Sequence, residues 1–597
     1  MLILVKPRNK GQSLFGGAMV LLVATIIVHI VGIFYKIPLT AYFGTVGRGY
    51  FNTAYELYTP IYAISMAGLP VAVSRMVSER MATGRYREVR VIFKVVKKIF
   101  LITGTLGTIV LFILVTPYTK YINNPNAIPS ILALAPSVFF CCLMSTYRGY
   151  YEGMRNMMPT AISQVIETVG KLIFGLIFAR MAMGYGEKQY LAGGPVFGVV
   201  VTNHDEALSA IYPYTAAAAI GGVTVGTILA FLYVAIRHRV LGDGITREQL
   251  INSPRPIPSN DLAKMLISLA IPVVASSLVL NITNLIDVST IQKRLDFTVA
   301  NNLDFIKHMY ANPLASSHTI DEDIKGYLYG AYTTALDFKN LLPTITMTLG
   351  VSSIPALSSA WAVKDKRKIY RTVDSVLRAS LLLALPTGFC MAALAKPMLT
   401  FMYIGTRAES AIEITSNVVI IYGLASCVFA LSTPITNMLQ AIGRADIPLK
   451  SLMVGATVKI ISNYIFVGNP KYNIYGATIG TVLCYVIIVS SNLFFLVREA
   501  KIRLHIRAIL LKPLFCSVLS GLSAWSSYGL LDRAFNFGDY ATRLNGSTLA
   551  LVLASIIAVF IYFVSLFLVS AISKNDVLML PKGEKIAKTL EKYGLIG

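Results

Sequence analysis

Charge is scarce in this chain. Asp, Glu, Lys and Arg make up 14% of its 597 residues, against about 25% in soluble domains. Acid is scarcer still, with 29 acidic residues to 53 basic ones. With 55% hydrophobic residues and a mean hydropathy of +0.65, a water-soluble globular protein is excluded. Cysteine is also sparse: Cys141, Cys142, Cys390, Cys427, Cys484 and Cys516 all fall in apolar stretches, without a CxxC pair or a neighbouring His set. Neither a disulfide framework nor a zinc site is implied. The GxxxxGK[ST] phosphate loop and the HExxH metal motif are missing as well, so no catalytic residue, metal or cofactor is expected, and energy must come from an ion, the membrane potential or the cargo's own gradient.

What the chain has is apolar length. Lys6, Arg8 and Lys10 precede a run from about residue 14 to 43, longer than the apolar core of about 7–15 residues in a cleaved signal peptide, so it is read as an uncleaved first span. Apolar windows of about 20 residues then recur near 14–40, 52–79, 93–116, 127–147, 157–179, 211–236, 262–292, 326–361, 373–395, 410–440, 448–468, 473–497, 508–531 and 546–573. The fold class is an all-α polytopic membrane protein of about 14 transmembrane helices.

The net charge of +24 could suggest nucleic acid, but position decides otherwise. With the N-terminus inside, 35 Lys and Arg fall in the connections expected to be cytoplasmic and 13 on the opposite side. That asymmetry is the positive-inside signal of a multi-pass plasma-membrane protein with both termini cytoplasmic. No nucleic-acid partner is expected. Membrane lipids are, since clusters such as Arg80 to Lys98 can meet anionic headgroups.

The chain repeats itself. Thr53-Ala54-Tyr55-Glu56 is answered by Thr334-Ala335-Leu336-Asp337, Leu69-Pro70 by Ile354-Pro355, and Arg155-Asn156-Met157-Met158-Pro159 by Arg444-Ala445-Asp446-Ile447-Pro448, at offsets of 281 to 289 residues. The shift is six spans, an even number, so the two halves share one orientation. The expected organisation is an N-terminal lobe (1–240, spans one to six), a cytoplasmic linker (241–260), a C-terminal lobe (261–500, spans seven to twelve), two further helices (501–575) and a tail (576–597).

Nine formal charges lie inside the spans: Lys36, Glu56, Arg75, Glu167, Lys171, Asp287, Asp337, Lys339 and Lys459. Each costs about 2.5–3.5 kcal/mol facing lipid at the bilayer centre, so they should face one another or water. Arg75, near a span end, is expected to snorkel. Glu167 and Lys171, spaced i, i+4, either neutralise each other or serve a cavity. Asp337 and Lys339 point apart and need partners on other helices, while Glu56 and Asp337 hold matching places in the two halves. Prolines 38, 60, 70, 136, 272, 343, 355, 386 and 434 interrupt spans in both halves, as in alternating-access transporters. His29 reads as a packing residue. Asp321-Glu322-Asp323 has the DxD spacing of a metal-bound sugar phosphate site but reads as a solvated loop tip. A first outer loop is expected at about 41–51.

Several segments resemble one family. Gly49-Tyr50-Phe51, Pro60-Ile61-Tyr62 and Gly68-Leu69-Pro70-Val71-Ala72-Val73-Ser74 are similar to the second helix of the stage V sporulation protein B-like polysaccharide transporters. The stretch from Tyr147-Arg148-Gly149-Tyr150-Tyr151-Glu152-Gly153 through Pro159 to Glu167 is the most specific match. Asn284-Leu285-Ile286-Asp287, Gln440-Ala441-Ile442-Gly443 and Gly476-Ala477-Thr478-Ile479-Gly480-Thr481 continue it. The family belongs to the multidrug, oligosaccharidyl-lipid and polysaccharide exporter superfamily and includes Gram-positive lipid II flippases. The resemblance implies two six-helix lobes in a V, two extra helices, and a lipid-linked oligosaccharide on undecaprenyl diphosphate as cargo. Leu336-Asp337-Phe338-Lys339 departs from the family's less charged pattern.

The residues suit that cargo. An anionic diphosphate with a polar headgroup cannot cross about 30 Å of hydrocarbon unaided. Lys36, Lys171, Lys339 and Lys459 offer point charges for it in a central cavity shared by the lobes. Glu56, Glu167 and Asp337 would keep those lysines charged, and Asp287 is the candidate for a coupling Na+ or H+. A monomer is expected. A cation-coupled drug exporter would want an acidic or apolar cavity, whereas the nine charges sum to +1. A membrane glycosyltransferase or polymerase would want outer-loop acids, and 41–51 has none.

Overall fold

The computed structural model describes residues 14–66, 69–317, 319–505, 507–535 and 546–569. The expected basic N-terminal tail and the tail 576–597 lie outside these residues, as does the side chain of His29. The protein is an all-α polytopic membrane protein, and among the described residues the fourteen apolar windows lie mainly on helix. Eight helices among the described residues are long and apolar enough to cross a bilayer, and the bent pair Glu409–Leu424 and Ser426–Ala441 makes a ninth.

The chain divides into two compact units, Met1–Ser289 with His318–Gly330, and Thr290–Ser317 with Ala331–Gly597. Two of the dividing points fall within the helices Ser259–Asn301 and Ile324–Ala362, and the third at the end of helix Ala311–Ser317.

In the first unit the expected outer loop at 41–51 is not a loop. Helix Leu14–Met66 runs through it, bent where Gly44 takes φ 63°, ψ −169°, a region that suits glycine alone. The turn after the bend is buried against the start of helix Ile324–Ala362: a Cβ on Gly330 would meet the carbonyl of Thr45, and one on Gly49 that of Gly326. Glycine lets the backbones approach this closely, and the segment meets its own hydrogen bonds as helix, so it needs no solvent. Helices Met158–Leu191 and His204–Leu241 are joined in the same way, through Gly170 against Gly226 and Gly175 against Gly222.

The repeat in the sequence is a repeated turn. Helix Ile128–Gly153 ends with Arg155 at φ 57°, Asn156 N donating to Tyr151 O at 2.9 Å, and Pro159 opening the next helix. Helix Ser426–Ala441 ends with Gly443 at φ 81°, and Arg444 N donating to Leu439 O at 2.9 Å, before helix Asp446–Phe466. Both are left-handed C-terminal caps followed by proline in the first helical turn.

In the second unit, helices Lys512–Phe535 and Gly546–Leu568 pack on helix Lys366–Ala393. Tyr562 donates to Leu382 O at 2.6 Å and Ser520 to Ala558 O at 2.8 Å. The bend between Leu424 and Ser426, 55°, follows Gly423, where helix Lys366–Ala393 approaches so closely that a Cβ would meet Gly388 O.

Candidate functional site

In the first unit, Phe51, Tyr55, Tyr58 and Tyr62 follow i, i+4, i+7, i+11 and so share one face of helix Leu14–Met66. Their rings form a continuous ladder with centroids 5.2, 6.1 and 5.3 Å apart. Tyr35 and Phe43, from before and beside the bend, add to its upper end. Facing the ladder, Cys141 Sγ lies 3.8 Å from the Tyr58 hydroxyl. Glu167 acts electrostatically on Tyr55, Tyr62 and Cys141.

Glu167 is held from another helix. Arg148 Nη2 donates to its Oε2 at 2.9 Å, while Arg148 Nε donates to Ser163 Oγ at 2.8 Å. Of the two alternatives for Glu167 and Lys171, mutual neutralisation is not what the structure shows: the carboxylate's ion-pair partner is Arg148. The guanidinium fork spans the serine and the acid one turn apart, a geometry an ammonium cannot supply. Lys171 keeps no ion pair of its own among the described residues. Its ammonium lies over the Tyr35 ring, 5.9 Å from the centroid. Lys36 and Glu167 both lie within its electrostatic reach. Gly226 packs directly under the 167–171 turn, so helix His204–Leu241 sets the height of both side chains.

Glu56 and Asp287 belong to the same unit. Glu56 acts electrostatically on Tyr118, and Ser289 approaches the same hydroxyl, which draws helices Leu14–Met66, Tyr86–Tyr121 and Ser259–Asn301 together. Asp287, two residues from Ser289, is buried and engaged with neighbouring groups. Arg75 is exposed, as snorkelling requires.

Asp337, Lys339 and Lys459 lie in the second unit. Lys339 is buried, with its ammonium 5.7 Å from the Phe429 centroid and 5.2 Å from that of Tyr485. The two rings themselves meet edge to face at 4.9 Å, which makes an aromatic corner for a cation. Lys459 acts electrostatically on Tyr422, whose ring packs on Phe429 at 5.6 Å. Asp337 is half-buried and engaged.

Sequence reasoning missed three features. Arg148, just past the apolar window 127–147, lies in helix Ile128–Gly153 and 19 residues from its partner. Arg48 was placed outside, yet it is among the most fully buried large side chains and acts on Tyr35 and Tyr55. The aromatic ladder has a signal in the sequence, the i, i+4, i+7, i+11 spacing of Phe51, Tyr55, Tyr58 and Tyr62. The expected solvated tip at Asp321-Glu322-Asp323 is also corrected in part. Asp323 is 3% exposed and accepts a 2.8 Å bond from Tyr50, while Asp321 and Glu322 are exposed. Lys325 Nζ donates to the carbonyls of Ile122 and Asn123 beside it, so the segment is docked rather than free.

Residues 14–361 match the family described as polysaccharide biosynthesis protein, more than half of the chain. The chain belongs to that family. Residues 329–465 also match the MatE family. Among curated relatives of this polysaccharide biosynthesis family member, lipid II flippase MurJ of Bacillus subtilis (strain 168) is 25% identical over 491 residues, 80% of this chain and 81% of that protein. Stage V sporulation protein B of the same organism is 21% identical, covering 80% and 82%. A solved structure of lipid II flippase MurJ in an inward closed conformation aligns with TM-score 0.60 at 16% identity, over 92% of this chain and 98% of that one. An inward-facing multidrug resistance MATE family transporter of the MOP superfamily aligns with TM-score 0.56 at 15% identity, over 79% and 98%. The fold is that of the multidrug, oligosaccharidyl-lipid and polysaccharide exporter superfamily, and the protein is a membrane transporter of that superfamily.

Proposed function

We propose that this protein is a flippase rather than an enzyme. It carries an undecaprenyl-diphosphate-linked oligosaccharide, lipid II or a related cell-wall precursor, from the inner to the outer leaflet of the bacterial cell membrane by alternating access. The observation that carries the reading is the environment of Lys171. Because Arg148 occupies Glu167, the Lys171 charge is available over the Tyr35 ring, with Lys36 within reach. Two ammonium groups beside a tyrosine ladder suit a diphosphate followed by sugar rings, which stack on aromatic faces. The flippase relative supports the same cargo class. Lys339 and Lys459 in the second unit are assigned to cargo contact during the cycle, and the protein acts as a monomer.

Expression in a bacterium depleted of its own lipid II flippase tests this directly. The wild type should restore growth, and Lys171→Ala or Lys459→Ala should abolish rescue while the protein remains in the membrane. Rescue by both variants would remove the cationic site from the mechanism.

Asp287 is assigned to coupling with Na+ or H+. A buried carboxylate that binds a cation better in one conformation shifts the equilibrium by that difference in affinity. Asp287→Asn should leave cargo binding nearly intact and abolish the dependence of transport on Na+ or pH. Unchanged ion dependence at the normal rate would make it a packing residue.

A further inference from the structure

Away from the cargo residues, two helices of the first unit bring cations to one place on the lipid-facing surface. On helix Tyr86–Tyr121, Arg90, Lys94, Lys97 and Lys98 are exposed, and the exposed face becomes apolar at Leu101, 46% exposed, and Ile102, 54%. Helix His204–Leu241 runs the other way. Leu232 and Ile236 are exposed, 42% and 59%, just before Arg237 and His238. Phe93 stacks on the His238 ring at 4.6 Å, which fixes the two basic ends at the same level.

Lys97, Arg237 and Arg90 all act electrostatically on His238. Their neutralisation is unequal. Asp243, the carboxylate that acts on His238, is already gripped by Arg90, whose Nε donates to Oδ2 at 2.8 Å and Nη2 to Oδ1 at 3.1 Å. The Asp243 carboxylate also accepts from Tyr150 and from the backbone N–H of Ile245. Arg237 rests on the Tyr151 ring, 4.9 Å from its centroid. Neither Lys97 nor Arg237 has a carboxylate partner among the described residues. Two uncompensated cations thus sit beside the aromatic floor of Phe93 and Tyr151, with exposed Leu101 one turn beyond Lys97 and exposed Leu232 and Ile236 in the five residues before Arg237.

We infer that Lys97 and Arg237 form a binding site for the phosphate of an anionic membrane phospholipid, whose acyl chains lie along Leu101 and Ile236. A free anion would have no use for the apolar half of this surface. A lipid uses both halves at once, and basic pockets between membrane helices are the usual form of such sites. This site is separate from Lys36 and Lys171 and does not depend on the cargo assigned above.

Full-length protein in mixed phosphatidylcholine and phosphatidylglycerol vesicles, extracted and weighed by native mass spectrometry, tests it. The wild type should retain phosphatidylglycerol over phosphatidylcholine. Removing one basic group near an anionic headgroup should weaken retention about fivefold, and Lys97→Gln with Arg237→Gln together about 25-fold. Lys97 is exposed, so Lys97→Gln alone should keep the wild-type melting transition in pure phosphatidylcholine and still show the weakened retention. Lys97→Arg should keep it. Wild-type retention in a folded Lys97→Gln/Arg237→Gln protein overturns the proposal. So does full displacement by inorganic phosphate, or by an equimolar polyprenyl diphosphate, because the site would then belong to a soluble anion or to the cargo.

Discussion

The choice of partner for Glu167 sets the chemistry around it. A carboxylate in a membrane helix is stable only if paired or hydrated. Pairing to Arg148 rather than to Lys171 leaves the lysine's charge for something else. A charge-assisted contact of this kind is worth about 1.5–3 kcal/mol, and losing one partner leaves the other charge half-buried. Glu167→Gln should therefore lower the melting temperature of the purified protein more than Arg148→Met combined with Glu167→Gln. Strictly additive effects in the double-mutant cycle would show that the two residues are not coupled. Arg148→Lys should not substitute for arginine, because the contacts to Ser163 and Glu167 use two different guanidinium nitrogens.

Among the elements, the pair of helices Met158–Leu191 and His204–Leu241 positions the candidate residues Glu167 and Lys171, and glycine decides how closely they approach. At Gly226 an added Cβ would meet the carbonyl of Glu167 and the N–H of Lys171. Backbone cannot yield as a flexible side chain does. Gly226→Leu should separate the helices, shift Lys171 from Tyr35 and abolish transport together with stability. Gly221→Leu, one residue beside a contact and facing nothing nearer than Phe178 at 3.9 Å, should be tolerated. Equal tolerance of both, measured by membrane abundance and rescue, would remove the close approach from the explanation. The bend at Gly44 works on the same scale. It turns an expected outer loop into buried helix and gives the Asp323 segment something to dock on.

For the whole molecule, the testable quantity is topology. The 35 to 13 division of basic residues predicts both termini inside. Thr202, Asn301 and Lys366 are all exposed, so accessibility will not mask the result. With the six free cysteines replaced, cysteine at Thr202 or Asn301 should react with an impermeant thiol reagent in intact cells. Cysteine at Lys366 should react only after the membrane is opened. Labelling at Lys366 in intact cells would overturn the span count.

The sequence by itself determined the fold class, the apolar windows and the matching segments that form the two turns, because each is a local property. A window of about 20 apolar residues partitions into lipid whatever its neighbours do, and a left-handed cap followed by proline ends one helix and starts the next within six residues or so. The candidate charges were legible for a related reason, since an ionisable residue in a span has to be accounted for. Their partners were not. Arg148 and Glu167 are 19 residues apart, and Tyr50 and Asp323 are 273 apart. Local spacing offered Lys171 to Glu167, and the loop composition offered water to Asp323. Only the tertiary structure decided between these and the observed pairs, because a buried charge takes whichever partner packing brings within hydrogen-bonding distance once water is gone.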